Sequence, residues 1–127
     1  MDVLKKNIDK IEKIFEHIRL FSERGVPIVV EGAKDEQSLN RLGIAKNIVT
    51  LKGRKLFEIA DVLCEKKHAV ILTDFDKTGT KIAYDLKREF EKRGIAPNLV
   101  YWKQLRSYLK SYSKDIESIA KIVEKYK

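Results

Sequence analysis

The sequence predicts an α/β fold, a four-stranded parallel sheet with helices on both faces. Three observations lead there. Short β-branched runs alternate with longer stretches of helical periodicity along the chain. Three of the runs are apolar throughout, as strands covered on both faces are. Gly and Pro fall at or near the ends of these segments, where they punctuate rather than interrupt. The 127 residues suit one domain, 1–127, with a core over about residues 26–102 and flanking helices over about 3–24 and 104–126.

The elements follow in order. Leu4, Ile8, Ile11, Phe15 and Ile18 recur at helical spacing and predict an amphipathic helix from Val3 to Glu23, ended by Gly25 and Pro27. Val26–Glu31 is the first buried strand. Asp35–Leu42 reads as a short helix stopped by Gly43, and Lys46–Leu51 as a second strand. After the basic turn Lys52–Lys55, the spacing of Leu56, Ile59, Ala60 and Leu63 predicts a helix to Lys67. Ala69–Asp74 is the third strand, Phe75–Gly79 a loop, and a helix then runs to about Arg93. Asn98–Trp102 reads as a fourth strand, and the tail from Gln104 as helix broken around Ser111–Ser113.

Composition excludes several classes. No apolar run approaches the roughly 18 residues of a membrane span. The amino terminus lacks a signal-peptide core, so a cytoplasmic location is expected. Cys64 is the one cysteine, which rules out an internal disulfide and a cysteine-based zinc site; it reads as a small core residue. His17 and His68 have no partner at ligand spacing. The 20 Lys and 11 Glu against 2 Gln and 4 Asn resemble hyperthermophile usage. The net charge of +8 suggests a polyanionic partner.

In doubly wound sheets ligands sit beyond the carboxyl ends of the strands. Here the first strand ends in Glu31-Gly32, and the third in Asp74 with Asp76 two residues on. Mg²⁺ takes one or two carboxylates and keeps several waters, a count an Asp-x-Asp pair supplies. A separate Glu then remains as general acid or base. Gly32 and Gly79 allow close backbone approach or a tight turn after each acid. A helix start after Gly79 offers amide donors to a phosphate. The plainer role for Asp76 and Asp35 is helix capping.

The stretch Asp74-Phe-Asp-Lys-Thr78 looks like the first motif of haloacid-dehalogenase phosphatases, but there the motif ends the first strand, and Glu31 would have no role. Response-regulator receivers share the element order but need paired acids after the first strand, where this chain has Glu31-Gly32. Val29-Val-Glu-Gly-Ala-Lys-Asp-Glu-Gln-Ser-Leu39 followed by Leu72-Thr-Asp-Phe-Asp-Lys-Thr-Gly79 resembles the Toprim domain, above all the small stand-alone archaeal proteins and the ribosomal RNA maturation nucleases. The resemblance covers about Val26–Trp102. It implies a Rossmann-like Toprim fold, with Glu31 as general base or acid or as a further metal ligand, Asp74 and Asp76 as ligands of Mg²⁺ (or Mn²⁺), and Asp35 in support. Phe75 departs from the family, many of whose members carry Pro between the two acids.

Lys34, Lys52, Arg54, Lys55, Lys77 and Lys81 lie in or beside the loops at the acidic rim and are the candidate phosphate contacts. Residues 101–127 are the most basic segment, with seven bases against three acids, interleaved with tyrosines. The helical stripe Leu105, Tyr108, Leu109, Tyr112, Ile116 assigns most of those rings to packing. The expected function is Mg²⁺-dependent phosphodiester chemistry on nucleic acid, as a small nuclease with RNA favoured over DNA. The alternatives are a nucleic-acid-binding module acting with a protein partner in a processing or repair assembly, and a small-molecule phosphate enzyme; the lack of a Gly-rich phosphate loop lowers the last.

Overall fold

A computed structural model describes residues 3–126. Helix α1 spans Val3–Glu23 and strand β1 Ile28–Val30; α2 is Ala33–Arg41, β2 Ile48–Thr50, α3 Leu56–Val62, β3 His68–Ile71, α4 Lys77–Glu91, β4 Ala96–Asn98, α5 Val100–Leu109 and α6 Ile119–Tyr126, with a 3₁₀ turn at Ile116–Ser118. The strands form one parallel sheet in the order β2-β1-β3-β4. Strand order reverses between β1 and β3, so the topological switch point lies where their carboxyl ends stand side by side.

The right-handed crossover rule puts α2 on one face and α3 with α4 on the other. Packing agrees. α3 lies against α4, while α1 packs on α5 and α6, and α2 on α6. β1 and the Ala69–Ile71 part of β3 are buried along their whole length, as their continuous apolar runs require. α1 buries Leu4, Ile11, Ile14, Phe15 and Ile18 on one stripe and leaves Lys and Glu outside. Gly25, at φ +92°, ends it in the left-handed region.

The carboxyl-terminal third departs from the sequence reading. The fourth strand is Ala96–Asn98, and Val100–Trp102 belongs to α5 instead. Pro97 confines that strand to three residues at the sheet edge, where a missing N–H is tolerated. Trp102, Leu105 and Leu109 then bury one helical stripe, and this packing overrides the β propensity of Val-Tyr-Trp. α3 ends at Val62, five residues early, so Cys64 lies outside the helix and is exposed rather than part of the core.

α5 runs antiparallel to α1. Tyr101, near its start, sits 6.0 Å from the Phe21 ring near the end of α1, and the Tyr112 hydroxyl, beyond its end, accepts a hydrogen bond from Leu4 N. The chain after α5 therefore returns to the rim formed by the carboxyl ends of β1 and β3. There Phe75 N donates to Lys114 O at 2.6 Å.

Candidate metal and phosphate site

Four carboxylates meet at the switch point. Glu31 follows β1, Asp74 and Asp76 follow β3, and Asp35 lies in the first turn of α2. Each is pinned by one backbone amide. Glu31 Oε2 accepts from Asp74 N at 2.8 Å, Asp74 Oδ1 from Ile116 N at 2.9 Å, Asp35 Oδ2 from Gly32 N at 2.9 Å, and Asp76 Oδ1 from Gly79 N at 2.6 Å. Asp76 is the N-cap of α4, whereas Asp35 is not the cap of α2 but sits inside its first turn and accepts from the amide of the N-cap Gly32; each role occupies one oxygen. The second oxygen of each carboxylate has no protein donor among the described residues, and none of the four forms an ion pair there.

The electrostatics follow from this crowding. The Asp74 carboxyl is pushed up to about 7, first by burial and then by the charges of Glu31, Asp35 and Asp76, against the opposing pull of the Ile116 amide. Burial also raises Asp35, with Glu31, Glu117 and Asp115 adding to the shift and Gly32 N–H opposing it. A cation would relieve all of these repulsions together. Among the described residues no three His, Cys, Asp or Glu side chains are already gathered as a metal cage. The free oxygens suit an ion that takes one or two carboxylates and completes its shell with water, the habit of Mg²⁺.

The two glycines serve different ends. Gly79 lies inside the first turn of α4, which begins at Lys77 rather than after Gly79, with Asp76 as its N-cap. A Cβ on Gly79 would meet Asp74 O at 2.1 Å, so only glycine lets α4 close on the acid loop. Gly32 faces no such limit; a Cβ there would meet only Asp35 Oδ2 at 3.9 Å.

The candidate bases divide. Lys52 stands at the rim, its amide donating to Glu31 O at 3.2 Å, and Lys77 opens α4 beside Asp76. Lys34 pairs with Glu117 at 3.8 Å, and Lys81 with Asp85 at 2.7 Å one turn along α4. Arg54 turns back to Thr50 O, and the Lys55 ammonium lies over the Phe57 ring.

Sequence reasoning missed the segment that closes the site. Asp115 caps the 3₁₀ turn by accepting from Ser118 N, and this brings Ile116 N onto Asp74 and Asp115 and Glu117 toward Asp35. The Ser113-Lys-Asp-Ile-Glu117 pattern does signal a helix start, but nothing in its spacing says which strand it will cover. The sequence assigns Trp102 to packing, and it is fully buried; what the sequence does not show is that its Nε1 donates to Thr73 O at 2.8 Å, directly before Asp74. Thr73 Oγ1 in turn donates to Gly79 O, locking the strand end to α4.

A doubly wound sheet with Glu-Gly at one strand end and Asp-x-Asp at its neighbour across the switch point defines a class, and comparison with known proteins agrees. The chain belongs to the Toprim-like family, whose model matches residues 28–116. Domains of this family generally bind divalent metals, and membership suggests a metal-dependent function related to nucleic acid. Its relatives include the UPF0292 protein of Methanosarcina barkeri, 32% identical over 98% of this chain and 88% of the relative, and that of Methanocaldococcus jannaschii, 34% identical over 92% of each. Both are archaeal, as the resemblance implied. A solved structure of a protein from Aquifex aeolicus is similar with a TM-score of 0.72 and 25% identity, covering 84% of this chain and 94% of the other.

Proposed function

We propose that the protein performs Mg²⁺- or Mn²⁺-dependent phosphodiester cleavage of nucleic acid, as a small RNA nuclease. One observation carries the reading. Four carboxylates stand close enough at one rim for Glu31, Asp35 and Asp76 to act on Asp74, each accepts from one backbone amide, and none is in an ion pair among the described residues. Asp74 and Asp76 would hold the metal, with Glu31 adjoining. The bound ion would supply charge stabilisation on the reacting phosphate. Glu31, anchored through Oε2, keeps Oε1 to accept a proton from water. Asp35 holds the Gly32 turn and so the position of Glu31. Lys52 and Lys77 are the rim bases placed to meet phosphate oxygens. Among the described residues no helix is long and apolar enough to cross a membrane; a cytoplasmic site of action and a protein partner that selects the substrate complete the reading.

The test is direct. Labelled structured RNA and single-stranded DNA are incubated with Mg²⁺ or Mn²⁺ and the wild type, Asp74→Asn or Glu31→Gln. Wild type should cleave the RNA, and each variant should lose about 100-fold or more. Cleavage that survives both substitutions removes the site from the reaction. Tight, salt-sensitive binding without any cleavage would instead make the chain a partner-dependent binding module.

A further inference from the structure

The bases of this protein are not equally available. On α4 and its carboxyl-terminal cap, Lys81, Lys87, Arg88, Lys92 and Arg93 all pair with acids of the same helix three or four residues away, and Arg93 also with Asp61. α5 is built differently. From Leu99 to Lys114 the chain has no Asp or Glu, and Lys103, Arg106, Lys110 and Lys114 recur at spacings of three, four and four. None of the four is in an ion pair among the described residues. The Lys103, Lys110 and Lys114 residues are exposed. Arg106 is fixed, its guanidinium 5.5 Å from the centre of the buried Trp102 ring. Lys103, Arg106, Ser107 and Lys110 together line one shallow depression.

The stripe also has a direction. α5 climbs along α1 toward the acidic rim, and Lys114, the last base of the stripe in the turn beyond α5, gives its backbone carbonyl to Phe75 N between the two aspartates. We propose that α5 and the turn after it are the track for a single nucleic-acid strand, gripping successive phosphates at Lys103, Arg106, Lys110 and Lys114 and leading the strand to the carboxylate rim. The helical part of the stripe, Lys103 to Lys110, is one residue wide and about 10 Å long at helical rise, and the turn beyond α5 continues it to Lys114, which suits one backbone rather than two. Exposed Tyr112, between Lys110 and Lys114 in sequence, adds a ring for base stacking. The inference rests on the nucleic-acid reading above and names the surface that holds the substrate, away from the metal ligands.

Binding measured without divalent metal separates the two claims. A fluorescent single-stranded 20-mer, as RNA and as DNA, and its duplex are titrated by anisotropy in EDTA over a range of salt. The proteins are wild type, Lys103→Gln/Lys110→Gln, and the charge-matched Lys66→Gln/Lys67→Gln at the opposite end of the sheet, each checked for an unchanged melting temperature. The α5 variant should bind single strands about tenfold more weakly, with a salt slope about 1.4 smaller, for two phosphates at roughly 0.7 each. The control should match wild type. Equal losses in both variants, no loss on α5, no binding by wild type, or preference for the duplex would each overturn the track. Binding that depends on α5 without cleavage in Mg²⁺ would leave the track standing and remove the nuclease. Cleavage with normal binding by the α5 variant would do the reverse.

Discussion

Asp74 ties the candidate site to the stability of the fold. In the unfolded chain it titrates near 3.8, whereas burial and the neighbouring acids push it up to about 7 in the folded state. Between those values the folded protein holds a proton that the unfolded chain has released, so stability is fully present below about pH 4 and falls as pH rises through 7. Asp35 shifts in the same direction. Asp74→Asn removes the charge yet keeps an oxygen for Ile116 N. In EDTA at pH 8 it should be more stable than wild type by about 1–2 kcal/mol, a pKa unit being worth about 1.4 kcal/mol before solvent screening at this half-buried group. The gap should close toward pH 4, as thermal unfolding from pH 4 to 8 would show; a variant weakened at every pH would contradict the repulsion. The residues Glu31, Asp74 and Asp76 were legible because each sits at a strand end beside a sharp change of pattern. Asp115 and Glu117 were not, because 42 positions of chain separate Asp74 from its amide partner Ile116, and spacing carries no record of that contact.

Among the elements, β1 and β3 were readable because a continuous apolar run of that length has few other uses. β4 and α5 were not. Leu99-Val-Tyr-Trp102 has the composition of a strand, and its helical state is fixed by what Trp102 reaches: the carbonyl of Thr73 from the indole and the rings of Phe75 and Tyr84 from its faces and edges. Trp102→Phe keeps most of the packing and removes the donor. It should cost about 2–3 kcal/mol in urea unfolding, combining a buried carbonyl left unpaired with lost ring volume. It should also weaken Mg²⁺ binding although every carboxylate is intact, since Thr73 is the residue on which Asp74 is hung. Unchanged stability and metal affinity would show that the bond does not hold the acid loop.

For the molecule as a whole, the order β2-β1-β3-β4 sets the site before any side chain is considered, because it places two acid-bearing strand ends on either side of one crevice. A metal bound there stabilises the entire fold by mass action, about 2.7 kcal/mol at a concentration 100 times Kd. The melting temperature should therefore rise with Mg²⁺ or Mn²⁺, more at pH 8 than at pH 6, where the ion competes with the proton on Asp74. Asp76→Asn should abolish the rise; a rise of equal size in that variant would place the ion elsewhere. The amide of Ile116 on Asp74 and the carbonyl of Lys114 on Phe75 also give the site a place in time. A ribosome adding about 5–20 residues per second needs roughly 2–8 s to travel from Asp74 to Ile116, and for that interval the acid loop lacks the amide and the carbonyl that fasten it. The acid loop is thus fastened well after its own residues are made, by a segment that follows the whole sheet in the chain.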